Sequence, residues 1–452
     1  MLKTLCTGTA LCLLLCGTAA FAADAATEAR IRALEERIKK LEAMLTQATS
    51  GKGLPLVTPP DAVAEARMQN LETKIKKLET APTPAAPSRG LAAFNPAISA
   101  TLNGQYGYYT QKTRNLQGFQ TGSDGMRPAK GFSVGETEVG MSANVDHTLY
   151  SALNLSFAND KVEVEEAFIK TLALPFGASV TAGRLLPSFG YLNEKHKHTD
   201  DFVDRPLPYR AFLNGGFHDD GVQASLVLPT DFYSEIGGGV FRGAEFPSKA
   251  NGNAPGLATA YARIGGDFGT GHDWRLGVSY LHANSNGGGR KDDAGDLAFT
   301  GNSDVYGADL KYAYAPNGNN TINEFALQAE CLFRHEQGRY TAEYGNDRVS
   351  AAVNGYSSGL YGQATYKFMT NYRVGYRYAF LDAPGTPGLF KDSSLDARGH
   401  TLQTHSLMAE YNTSEFGRFR LQYTRDLTRR TPADEFLLQY TITFGAHPAH
   451  GY

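Results

Sequence analysis

The chain has 452 residues and a formal net charge of -3, with 43 Lys and Arg against 46 Asp and Glu. That near balance excludes the strongly basic surface of a nucleic-acid-binding protein. With 49 Gly, 24 Tyr and 25 Phe against a single Trp, glycine and the aromatics are the first compositional clue.

The start, "MLKTLCTGTALCLLLCGTAAFAAD", joins a basic Lys3, an apolar run to Leu15 and the small-residue pattern Ala20-Phe21-Ala22. It reads as a secretory signal over 1–22, cleaved near Ala22. A lipoprotein reading through Cys16 is disfavoured by Leu15, which stands where a small residue is expected. Cys6, Cys12 and Cys16 fall within the signal, so the exported chain keeps Cys331 alone and forms no internal disulfide. Beyond the signal no apolar run approaches the roughly 18 to 20 residues of a membrane-spanning helix. A membrane β-barrel stays open, because its strands alternate and keep average hydropathy low.

Over 23–80 the period is helical. Ile31, Leu34, Ile38, Leu41 and Leu45 are spaced as a coiled-coil seam, and "LEERIKKLEA" recurs as "LETKIKKLET" with Met68, Leu71, Ile75 and Leu78 in the same phase. Each segment is short for a lone helix in water, so partner helices are the natural cover for its apolar stripe. A solvated charged helix or spacer is the alternative. A Pro/Ala linker over 81–96 follows.

From Ala97 to the end the period changes to two. In "NYRVGYRYAF", Tyr372, Val374, Tyr376, Tyr378 and Phe380 share one face and Arg373 and Arg377 the other. In "EFGRFRLQYTRD", Phe419, Leu421 and Tyr423 oppose Arg418 and Arg420; in "NEFALQAECLF", Phe325, Leu327, Cys331 and Phe333 oppose Glu324, Gln328 and Glu330. Tight turns near Asp146, Pro175, Pro229, Thr270, Asn317, Thr370 and Thr413 alternate with longer polar segments near 113–130, 187–220, 243–256, 285–301, 335–352 and 384–399. The connection at Asn159-Asp160 is short where a long one is due. Counting gives 16 strands in residues 97–452. Tight turns on one side and loops on the other, an even strand number and tyrosine-fringed strands predict an all-β, 16-stranded antiparallel transmembrane barrel with lipid as its outer partner. A large soluble sandwich is the competing fold.

Between residues 162 and 229, "EEAFI", "GRLL", "FVDR" and "FHDDGV" resemble the motifs of the phosphate-selective type of outer-membrane porin. "GYLNEKHKH", "PYRAFL" and the tail "GAHPAHGY" are similar to a subgroup labelled zinc-regulated, TonB-dependent outer-membrane receptors. The resemblance implies a 16-stranded barrel, often trimeric, in the outer membrane of a Gram-negative bacterium, with the third external loop folded inward. A TonB-dependent receptor has roughly 22 strands around a plug, whereas here a short coiled coil and a linker precede the barrel, so diffusion is the expected mode of transport. The family's anion preference is not carried over, because no lysine cluster is evident on the inward faces.

Segment 187–220 is long enough to reach the middle of the lumen and return, and its Pro187, Gly190, Pro206, Pro208, Gly215 and Gly216 suit an irregular loop. Folded inward it brings Glu194, His196, His198, Asp200, Asp201, Asp204, Arg205, Asp219 and Asp220 to the constriction. Lys367, Arg373, Arg377, Arg418 and Arg420 form a facing basic wall. Opposed walls of this kind set a transverse field that sorts small hydrophilic solutes and ions; ordinary solvated lumen residues are the alternative. His196, His198 and Asp200 share one side of an extended segment, with His218 or Asp219 on the loop's return; histidines lining a wet loop are the alternative. No cofactor is required, but these four residues are suitable for holding zinc weakly. His447 and His450 are a sparser pair. Ser188 beside His and Asp lacks an oriented base and oxyanion donors, so no enzyme is expected. The function read from the sequence is a porin; a zinc-binding uptake protein and an envelope anchor are the alternatives.

Overall fold

The computed structural model describes residues 96–445, apart from 136, 159–160, 251, 288–289, 293–294 and 345–346. The signal, the coiled coil, most of the linker, and His447 and His450 lie outside the described residues.

Alternating side chains and antiparallel backbone pairing build one continuous sheet that closes on itself. Its sixteen strands are β1 (Ala97–Tyr109), β2 (Gly131–Val134 and Thr137–Asn144), β3 (Leu149–Ala158), β4 (Lys161–Thr171), β5 (Ala178–Leu185), β6 (Asp219–Val227), β7 (Tyr233–Phe241) and β8 (Leu257–Asp267). The second half comprises β9 (His272–Asn286, continued by Arg290–Asp292), β10 (Gly295–Tyr314), β11 (Glu324–Tyr344), β12 (Asp347–Met369), β13 (Tyr372–Asp382), β14 (Leu402–Ser414), β15 (Gly417–Asp426) and β16 (Ala433–Gly445). Each strand pairs with its sequence neighbours, and β1 closes the ring on β16 from Ser99 opposite Gly445 to Tyr109 opposite Glu435. Closure leaves no unpaired edge, the condition for a sheet in a bilayer.

The two faces of the sheet are sorted inside out. Leu438 on β16 is 48% exposed, and its cross-strand partner Leu421 on β15 is 55% exposed. Phe333, Leu407, Tyr376 and Phe436 are likewise exposed outward. Toward the lumen, Glu330 and Arg420 are each only 1% exposed, and Ser406, Gln422 and Gln439 are buried with them. An apolar outer surface around a polar interior is the arrangement of a membrane-spanning barrel and excludes the soluble sandwich, whose apolar faces would meet inside. No helix among the described residues is long and apolar enough to cross a membrane.

Every expected tight turn is present. Two expected loops are not: 285–301 and 335–352 are largely strand, because β10, β11 and β12 run 20, 21 and 23 residues. At their far ends the outward face turns polar while Leu297, Phe299, Tyr340 and Val353 point inward, so the apolar-out alternation of a lipid-facing strand is lost there although the backbone pairing continues. Phe390 and Leu395, from the connection after β13, pack within these tall hairpins on Phe299, Tyr340 and Val353.

The long segment after β5 folds into the barrel and carries the main apolar core with it. A short helix, α1 (Leu207–Leu213), follows Pro206 and has Pro208 in its first turn, where a missing N–H costs nothing. It ends at Asn214 in the left-handed conformation (φ 54°), and the Gly215 N–H returns to the Tyr209 carbonyl (2.9 Å). Leu207, Phe212 and Leu213 are buried in one cluster with the inward side chains Val305, Leu332, Leu381 and Leu402. The lumen wall is therefore apolar where α1 packs against it.

Leu438→Arg is expected to destabilise the folded barrel by about 2–4 kcal/mol, the cost of a cation on a lipid-facing strand, while Leu438→Phe stays near wild type. Urea unfolding in lipid vesicles checks this.

Candidate functional site

The loop crosses the lumen and is fastened to the wall at several points. At its start, the Gly190 N–H donates to Ser279 Oγ on β9 (2.9 Å). Glu330 on β11 then accepts the N–H groups of Tyr191 (3.0 Å) and Leu192 (3.1 Å) and the hydroxyls of Tyr209 (2.8 Å) and Tyr361 (2.5 Å). Four donors on one buried carboxylate satisfy it without a cation.

Glu194 receives the guanidinium of Arg263 on β8 through both of its oxygens, and Arg275 on β9 at 3.3 Å. Asp201 meets Arg373 at 2.5 Å and accepts from Gln363 at 2.8 Å. Asp204 meets Arg377 at 2.6 Å and Gln422 at 2.6 Å. Arg373 and Arg377 lie on β13, eight strands from β5 and so across the barrel. Burial works against ionisation of Asp201 and Asp204, but Arg373 and Arg377 outweigh it and hold both carboxyls below their ordinary range.

The wall of Arg373, Arg377, Arg418 and Arg420 lies on the inward faces of β13 and β15, with one correction to the expected arrangement. Its charges do not face the acids across open water: loop and wall are in contact, and Glu410 on β14 adds a further acid, 3.0 Å from Arg373 and 2.9 Å from Arg420. Backbone register accounts for this row, since Glu410 stands directly opposite Arg373 on one side and Arg420 on the other. Lys367 on β12 stands directly opposite Arg373, on the same inward face. Its ammonium bonds the Asn320 carbonyl (3.1 Å) near the tight-turn end.

Asp219 and Asp220 also leave the constriction, because β6 begins at Asp219. Asp219 accepts the N–H groups of Asp220 and Gly243, and Asp220 pairs with Arg184 at 3.3 Å. Arg205 stays in the loop and staples it internally, donating to the carbonyls of Leu192 (2.8 Å) and Lys195 (2.7 Å) and pairing with Asp200.

The expected zinc quartet does not assemble. The backbone turns through a short 3-10 segment, Lys197–Thr199, which breaks the two-residue phase and sends Asp200 to Arg205, while its carbonyl accepts from Arg420 (2.8 Å). Burial raises the Asp200 carboxyl above its ordinary value. His218 lines a separate cavity of about 420 Å³ with Arg184, Glu163 and Glu245, and burial lowers its imidazole. His196 and His198 remain together, with ring centroids 5.7 Å apart, and meet glutamates that the sequence reading did not single out. His198 Nδ1 is 2.8 Å from Glu138 on β2. His196 Nδ1 is 3.3 Å from Glu138 and 3.4 Å from Glu165, and its Nε2 is 2.8 Å from Glu166. Burial opposes a charge on His196, but these three carboxylates outweigh it and hold the imidazole well above its ordinary value.

Glu165 and Glu166 are adjacent on β4, so a regular strand would point them to opposite faces. A bulge brings both inward: Asn154 pairs with Glu166 and Leu155 with Val164, leaving Glu165 the extra residue. Val162 and Val164 are exposed before the bulge and Ile169 after it, which shows the change of phase. The sequence signal was present in "VEVEEAFI", where alternation breaks at the second of two neighbouring glutamates.

No protein-family profile matches the chain. Over 346 residues, 72% of this chain and 70% of the other, it is 29% identical to an uncharacterized protein of Aquifex aeolicus (strain VF5). Among solved structures it is similar to an anion-selective porin from Comamonas acidovorans, with 10% identity, a TM-score of 0.49 and coverage of 77% of this chain and 99% of that one. It is also similar to OprB of Pseudomonas putida, with 11% identity, a TM-score of 0.49 and coverage of 78% and 95%. A trimer form of OmpT, an outer membrane protein of Vibrio cholerae, has 12% identity, a TM-score of 0.46 and coverage of 77% and 99%.

Glu330→Ala leaves the Tyr191 N–H and the Tyr209 and Tyr361 hydroxyls without this acceptor, and the Leu192 N–H with only its longer bond to the Tyr209 hydroxyl (3.2 Å), at about 1–3 kcal/mol for each one left buried and unpaired. Hydrogen exchange over 190–213 is expected to accelerate at least about tenfold, while the heat-modifiable migration of the closed barrel is retained.

Proposed function

We propose that the chain is an outer-membrane channel of a Gram-negative envelope, passing small hydrophilic solutes or ions through a barrel narrowed by its inward loop. The observation that carries this reading is the polar, charge-lined interior within an apolar exterior, with the loop held across it by Glu330 and by the pairs Asp201–Arg373 and Asp204–Arg377. A permanent polar interior with a loop at membrane depth suits passage of hydrated solutes. Ser188 bonds Gln223 through both its N–H (2.9 Å) and its hydroxyl (3.0 Å), which supports a transport role over acyl transfer. In this reading residues 1–22 are the export signal, 23–80 form a periplasmic coiled coil, and the barrel assembles as a homo-oligomer, a trimer by the family resemblance. Assignment to the phosphate-selective type and its zinc-regulated subgroup belongs to the same proposal; its support is that the "EEAFI" glutamates and the "PYRAFL" helix both lie at the docked loop.

Full-length protein in planar bilayers is expected to show stable conductance steps. Replacing 191–216 by a short Gly-Ser linker is expected to raise the step size at least about twofold, because the loop occupies the lumen. Absence of steps from both proteins, with a correctly closed barrel, overturns the channel reading. Arg373→Ala with Arg377→Ala removes two lumen cations and leaves Asp201 and Asp204, so the reversal potential in asymmetric salt is expected to move toward cation preference.

A further inference from the structure

Around most of the lumen the loop brings acids and the wall brings arginines. On β2 and β4 the polarity is reversed: the wall supplies Glu138, Glu165 and Glu166, and the loop supplies His196 and His198. Both histidines and Glu138 are buried, and their donor atoms lie within 4.8 Å of one another.

We propose that Glu138, His196 and His198 bind a divalent transition-metal cation of the zinc type, with Glu165, which lies 3.4 Å from His196 Nδ1 but outside that close set, swinging in as fourth donor, and thereby clamp the inward loop to β2 and β4. Imidazole nitrogen and carboxylate oxygen are the donors such a cation takes. With bonds of about 2.0–2.1 Å at tetrahedral angles, neighbouring donors sit roughly 3.3 Å apart. His196 Nδ1 is 3.3 Å from Glu138 Oε2 and 3.4 Å from Glu165 Oε2. His198 Nδ1, 2.8 Å from Glu138 Oε1, has to open by a few tenths of an ångström, roughly the difference from that ideal spacing.

The surrounding shell has the matching form. Glu166 is 2.8 Å from His196 Nε2, so an Nε2–H donated to it leaves the Nδ1 lone pair directed at Glu138 and Glu165. Asn154 donates to the same Glu166 oxygen at 2.8 Å and holds that carboxylate in place. Three carboxylates gathered in a buried place need positive charge to offset them. A dication supplies it. The set draws on two barrel strands and one loop, so occupancy couples the loop's position to cation supply.

The test uses full-length protein in detergent, stripped with EDTA and titrated with Zn2+ by calorimetry and with Co2+ by visible absorption. One cation per chain is expected, with the intense bands of tetrahedral cobalt. Glu138→Gln and His198→Ala are each expected to weaken zinc binding at least about 100-fold, and Glu166→Gln, an orienting residue, about tenfold with stoichiometry kept. His218→Ala is expected to leave affinity unchanged. Heat-modifiable migration confirms that each barrel is closed. Failure of the wild type to bind zinc or cobalt, wild-type affinity in the Glu138 and His198 variants, or loss of binding in His218→Ala overturns the proposal. Binding is read without conductance, so a silent barrel that binds zinc sinks only the channel reading, and a conducting barrel that does not bind sinks only this one.

Discussion

Closure of β1 on β16 is the constraint on which the rest of the structure depends. In hydrocarbon an unpaired N–H or C=O costs several kcal/mol, so a sheet in a bilayer has to satisfy every strand with a neighbour. Once the ring is closed, the two-residue period of every strand has only two destinations, lipid and lumen. Leu421 and Leu438 go to one, Arg420 and Gln439 to the other. Polar side chains that would be misplaced in a soluble core become wall residues in search of partners.

The loop after β5 supplies those partners. Its own backbone would be costly at membrane depth, and it is stabilised there by Glu330, by the Arg373–Glu410–Arg420 row and by the apolar cluster around α1. The acids of the loop and the arginines of the wall are mutually dependent, since removing either leaves the other buried without a counterion. The His196–His198 patch departs from this pattern. There the wall presents acids, and the bulge at Glu165 doubles them on one face.

Much of this was legible in the residues. The phases of "NYRVGYRYAF" and "EFGRFRLQYTRD" place their arginines inward correctly, because period-two alternation maps one-to-one onto the faces of a sheet. The turn positions follow from Gly, Pro, Asn and Asp for the same local reason. The ends of β10 to β12 read as loops because outside the bilayer the outward face no longer needs to be apolar, and their inward apolar residues find partners only in the folded chain. Only an extended loop would put Asp200 on one side with His196 and His198, and the turn at Lys197–Thr199 removes that premise. Glu138 and Glu410 carry no such signal, because nothing local joins residue 138 to 198, or 410 to 373.

The sequence by itself determined a period-two barrel: the number of its strands, the lipid face of each, and the presence of one connection long enough to enter the lumen. Those properties are local, set by side-chain alternation and turn chemistry within a few residues. Only the tertiary structure decided which charge meets which, because that depends on register around a closed ring and on where the returning loop lands. The loop's acids meet Arg373 and Arg377 half the circumference away from the strand that launches it. Its two histidines meet glutamates on β2 and β4 that only a bulge and a loop fold could bring to the same place.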